Sequence, residues 1–117
     1  MMTMKGDTMD GELLRFYVHE GQRLHGKLTW EWLLAEANRL GVRGGSAFRA
    51  MAGFGQHRRL HEEHFFELGG TLTVEVEFIV SHDEAEQLLS LVAQQPVRLF
   101  FARTPVQFGL VGGADAS

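Results

Sequence analysis

Ten residues near the middle of the chain, TLTVEVEFIV (71–80), leave the backbone little choice. Leu72, Val74, Val76, Phe78 and Val80 fall on one side of an extended chain, and Thr71, Thr73, Glu75 and Glu77 on the other. With β-branched residues throughout, this is a strand with one face buried and one turned outward. The next four residues, SHDE, form a capping box: Ser81 at the N-cap and Glu84 at N3 satisfy each other's backbone donors. Ala85, Leu88, Leu89 and Val92 then recur at i, i+3, i+4 and i+7, the apolar stripe of a helix that stops before Pro96.

A similar unit lies upstream. Residues 13–18 alternate, with Leu14, Phe16 and Val18 opposite Leu13, Arg15 and Tyr17. A polar loop (19–27) follows, then a helix expected to be capped by Thr29, with Glu31 in its positive first turn. Trp30, Leu33, Ala37 and Leu40 follow its helical spacing and Gly41 stands at C′. Gly44 and Gly45 make a turn into a second strand at 46–52, and a fourth strand is expected at 97–102 with a short extended tail at 105–111. The order βαββαβ is the ferredoxin-like α+β arrangement: a four-stranded antiparallel sheet with both helices on one face. One domain is expected over 12–111, with 1–11 and 112–117 disordered.

In that topology the first and third strands are neighbours. Arg15 and Tyr17 then lie beside Glu75 and Glu77 on the helix-free face, where opposite charges on adjacent strands attract, and Arg49 is expected to face the same way. Leu13, Met51 and Ile79 share that face. The last strand is apolar on both sides, Leu99 and Phe101 against Phe100 and Ala102. A strand that is apolar on both faces in a two-layer protein calls for a second covering surface, so the open face is expected to pack on another subunit.

Composition narrows the function classes. The chain has 117 residues, 44% hydrophobic and 22% charged, as in a soluble single domain. It has no cysteine, which excludes disulfides, thiolate metal sites and a thiol nucleophile. A formal charge of -4 argues against nucleic-acid binding. With no apolar run of membrane-spanning length and no apolar leader, a cytoplasmic location is expected.

The stretch RAMAGFGQHRRLHEEHFFEL (49–68) is different in kind. It crowds histidines, arginines and glutamates between two strands, in a polar segment (56–70) far longer than a hairpin needs. Such loops on rigid scaffolds commonly carry binding. His57, His61 and His64 share a helix face at i, i+4 and i+7 and offer a metal-ligand alternative, although HEEH is not the HExxH zinc motif.

The segment KLTWEWLLAEANRLGVRGGSAFRAMAGFG (27–55), ending in Gly-Phe-Gly, resembles the helix, turn and strand of the nitrogen-regulatory PII signalling proteins. TLTVEVEFIVSHDEAEQLL (71–89) resembles their next strand and helix. The resemblance is strongest to the PII-like family catalogued as domain of unknown function 190, and spans about residues 13–101. It implies a compact homotrimer that is not an enzyme. Small effectors, typically an adenine nucleotide (AMP, ADP or ATP), bind in its inter-subunit clefts. The loop 56–70 then answers to the T-loop, which reports occupancy to a partner such as a membrane transporter or channel.

By the same resemblance the effector site takes Ser46, Gly53, Gly55, Gln56, Arg98 and Arg103, and the partner loop presents His57, Arg58, Arg59, His61, His64 and Phe65. PII carries a glycine- and lysine-containing phosphate loop after its second helix. Here Gln94, Gln95 and Pro96 run straight into the strand, which leaves Arg98 and Arg103 as the phosphate-capable cations. No tyrosine lies in 56–70 for covalent modification. Two alternatives stand beside the sensor: a divalent-metal-binding trimer resembling the cation-tolerance family, with ligands His57, His61 and His64, and an interaction scaffold without a small ligand.

Overall fold

A computed structural model of the protein describes residues 8–54 and 72–113. Its order is β1 (Met9–His19), β2 (Arg23–Leu24), β3 (Lys27–Leu28), α1 (Thr29–Arg39), β4 (Gly45–Arg49), β5 (Thr73–Val80), α2 (His82–Ala93) and β6 (Phe100–Phe108). β4, β5, β1 and β6 form one antiparallel sheet in that order, and β2–β3 is a separate ribbon. This is the ferredoxin-like arrangement, with the first and third strands of the main sheet at its centre.

The alternation holds over Thr73–Val80. Val74, Val76, Phe78 and Val80 are buried against the helices, where they meet Leu14, Phe16 and Val18 of β1, Trp32, Leu33 and Ala37 of α1, and Ala85, Leu88 and Val92 of α2. Phe16 and Phe78 pack edge-on, with ring centroids 6.4 Å apart, a geometry that pairs the positive edge of one ring with the negative face of the other. The capping box on α2 is complete: the Ser81 hydroxyl accepts from Glu84 N at 3.1 Å and Ser81 N donates to Glu84 Oε1 at 2.9 Å. Gly41 adopts φ +92 after the Leu40 C-cap, a conformation that glycine reaches without steric cost.

Several readings of the sequence are corrected. Thr29 does not cap α1: Leu28 is the N-cap and makes no side-chain cap bond. Thr29 is the first helical residue, fully buried, and its Oγ1 has no hydrogen-bond partner among the described residues. The cause lies in the preceding loop, which is not featureless. His25 and Gly26, both at positive φ, make the two-residue turn of the β2–β3 ribbon. Gln22 O then takes the Thr29 N–H at 2.8 Å, tying buried Thr29 back to the start of the ribbon.

Arg49 does not face Arg15. β4 starts at Gly45, and its register pairs Gly45 with Phe78, Ala47 with Val76 and Arg49 with Val74, so Arg49 belongs to the helix side. From the end of β4 it reaches Glu20 Oε2 at 2.9 Å. The open face receives Ser46 and Phe48 instead, opposite Glu77 and Glu75. The second strand ends at Arg49, so Met51 stands beyond it, exposed, and not on the open face.

The last strand begins at Phe100, and the tail expected at 105–111 supplies its second half: Met9 pairs with Phe108 and Glu12 with Pro105. A proline is tolerated there because β6 is an edge strand. β1 correspondingly begins at Met9, ahead of the expected domain start at residue 12.

Candidate functional site

The sheet register decides which candidate residues can meet. One row across it reads Ser46, Glu77, Arg15, Ala102, and the next reads Gly45, Phe78, Leu14, Arg103. Ser46 and Arg103 therefore sit on opposite edges of the sheet, three strand spacings or about 14 Å apart. They also point to opposite faces, Ser46 with Glu77 on the open side and Arg103 with Leu14 on the helix side. Gly53 lies exposed past the C-terminal end of β4, and Arg98 exposed ahead of β6. Ser46 and Arg103 are thus two candidates that one chain does not bring together. Gly55, Gln56 and the loop residues His57, Arg58, Arg59, His61, His64 and Phe65, with the metal alternative they include, lie outside the described residues.

At the β6 edge Arg103 is not a bare cation. Its Nε and Nη2 donate to Glu12 Oε1 and Oε2 at 2.6 and 2.9 Å, a two-pronged grip that fits the guanidinium fork. Its Nη1 lies 2.9 Å from Glu86 Oε2. His82, first residue of α2, places Nδ1 2.8 Å from Glu12 Oε2 and Nε2 3.9 Å from Glu86 Oε2. The hydrogen bonds from Arg103 hold the Glu12 carboxyl below its ordinary 4.5; burial opposes this and the His82 contact adds to it. Both carboxylates raise Arg103 further, so it stays charged. A cleft of about 450 Å³ adjoins the group, lined by Asp10, Gly11, Glu12, His82, Arg103 and Pro105.

Sequence reading finds Arg103 and misses Glu12, Glu86 and His82. His82 and Glu86 carry one local signal, their i, i+4 spacing on α2. Glu12 carries none, because only the β1–β6 register brings it to a residue 91 positions away.

The open face carries a second constellation. Arg15 Nε donates to Glu77 Oε2 at 2.8 Å and stands 3.7 Å from Glu75 Oε1. Around this polar centre Phe48 (52% exposed), Ile79 (47%) and Phe100 (68%) face outward, and Tyr17 leans on Phe100 with centroids 5.4 Å apart.

A family model, DUF190 (Uncharacterized ACR), matches residues 11–107. A UPF0166 protein of Aquifex aeolicus (strain VF5) is 32% identical over 78 residues, 67% of this chain and 74% of that one. Among solved structures, a chain of Thermus thermophilus described as PII-like signaling superposes with TM-score 0.60 at 19% identity, covering 87% of this chain and 91% of that one. CPII from Thiomonas intermedia K12, a nitrogen regulatory PII-like protein solved with ADP, AMP and bicarbonate, superposes with TM-score 0.60 at 14% identity, covering 90% and 99%. At these identities the likeness to the solved structures is one of fold.

Proposed function

The chain belongs to the DUF190 family, and from that premise we propose that it is a non-enzymatic PII-like regulator. It acts as a homotrimer whose inter-subunit clefts take an adenine nucleotide. The observation that carries this reading is the division of the candidate site: Ser46 belongs to the β4 edge and Arg103 to the β6 edge, while Gly53 follows β4 and Arg98 precedes β6 in the chain. A cleft using both groups needs the β4 edge of one copy beside the β6 edge of the next. The outward Phe48, Ile79 and Phe100 supply the apolar area on which copies pack, and the Arg15–Glu77 pair enters that contact already matched in charge. CPII, which shares the fold, was solved with ADP and AMP.

In this reading Gly53, Gly55 and Gln56 let backbone approach the nucleotide, and Arg98 and Arg103 meet its phosphates. The segment 56–70 carries the signal to a partner, for which a membrane transporter or channel is the proposed class, with His57, Arg58, Arg59, His61, His64 and Phe65 as its contacts. A ligand shifts such a loop only by contacting its two states unequally.

Two measurements test this. Calorimetric titration with AMP, ADP and ATP is expected to give saturable heat with at least one; no heat with any of them removes the nucleotide. Sedimentation is expected to give three times the 13.1 kDa chain mass, and Ile79→Ser with Phe100→Ser to shift it toward one chain with helix content retained. A wild-type protein that sediments as a single chain removes the inter-subunit cleft.

A further inference from the structure

Arg103 poses a conflict for any anion-binding role, because two carboxylates already engage all three of its nitrogens and neutralise its charge. The two are not alike. The Glu12 side chain is 15% exposed and grips through both oxygens, between Arg103 and His82. The Glu86 side chain is 54% exposed and touches Arg103 through one contact, to Nη1.

Exposed single-contact ion pairs are weak and exchange readily; a bidentate pair on a rigid strand does not. Glu86 also has somewhere to go. His82 Nε2 lies one helical turn back on α2, 3.9 Å from the same Glu86 oxygen, so a small rotation trades Arg103 for His82.

We propose that Glu86 is an exchangeable counter-ion of Arg103. It yields Nη1 to a phosphate of the nucleotide entering the adjoining cleft, while Glu12 keeps the guanidinium aimed. This rests on the nucleotide reading above. Glu86 thereby sets a threshold: a ligand gains the full charge of Arg103 at Nη1 when its anionic group outcompetes the carboxylate already in place. Glu12 and Glu86 carry the same charge beside the same cation and act in opposite directions, one presenting Arg103 and the other withholding it.

The test is calorimetric titration of ADP into the full chain and three variants. Glu86→Gln is expected to bind about 2- to 5-fold tighter, the range an exposed ion pair supports. Glu12→Gln, which removes the same charge from the same guanidinium, is expected to bind weaker. Asp83→Asn, an exposed charge on the same helix, is expected to leave affinity unchanged. Should Glu12→Gln fail to fold, as judged by its thermal transition, Glu86→Gln against Asp83→Asn decides alone.

If wild type binds ADP and Glu86→Gln binds no tighter, the exchange is overturned and the nucleotide reading stands. The exchange is equally overturned if Asp83→Asn tightens as much, since diffuse charge then accounts for the gain. If only Glu86→Gln binds, the exchange is supported in its strongest form. If none binds, both readings fall together.

Discussion

Glu12 Oε1 and Oε2 take the Nε and Nη2 protons of Arg103 at 2.6 and 2.9 Å, fastening the first long strand to the last across 91 positions of sequence. Folding lowers the Glu12 pKa below 4.5. The unfolded chain therefore takes up this proton first as the pH falls. The stabilisation is complete above about pH 4.5 and is lost as pH drops through the lowered value. Urea midpoints of wild type and Glu12→Gln should differ at neutral pH, with wild type the more stable. They should converge as the pH falls below 4.5, and a constant difference across that range contradicts the pairing as the source of the stability.

Thr29 buries a hydroxyl with no partner among the described residues. Such a group keeps its desolvation cost and returns nothing for it. Thr29→Val keeps the shape and removes the cost. The variant should be more stable by about 1 kcal/mol, read as a higher urea midpoint at unchanged slope. A loss of stability would mean that the hydroxyl has a bonding partner after all.

Gly45 has no room for a side chain. A Cβ there would stand 2.5 and 2.7 Å from two ring carbons of Phe78, which is fixed in the core. Gly45→Ala should destabilise by about 1–3 kcal/mol, the cost of forcing a packed ring aside. Gly44→Ala, whose Cβ meets nothing within 4 Å, is the matched control and should change the thermal midpoint far less.

How much of this is legible in the sequence depends on how locally each feature is encoded. The β5 alternation and the Ser81–Glu84 box hold their information within a few residues, and both stand in the structure as the sequence implies. Thr29 has the composition of a cap. Its position is set by a bond to Gln22 O and a turn at His25–Gly26 that no helical periodicity reports. Arg49 goes to the other face because the β4–β5 register sets it opposite buried Val74 and sets Phe48 opposite Glu75, and a one-residue difference in register reverses every side chain. The fourth strand runs past Ala102 because Pro105, a stop signal elsewhere, is tolerated on an edge strand. The site follows the same logic: Arg103 is visible as a cation, whereas its grip by Glu12 exists only once β1 and β6 pair.

The strand order has a further consequence for how the molecule comes into being. β1 is synthesised first, yet both its neighbours, β5 and β6, come from the later half of the chain. The centre of the sheet cannot zip until β5 has emerged, and the β6 flank waits longer still. Pairings this distant in sequence make for slow closure. Until then Leu14, Phe16 and Val18 travel uncovered, and that interval is when a nascent chain is most open to sticking to the wrong neighbour.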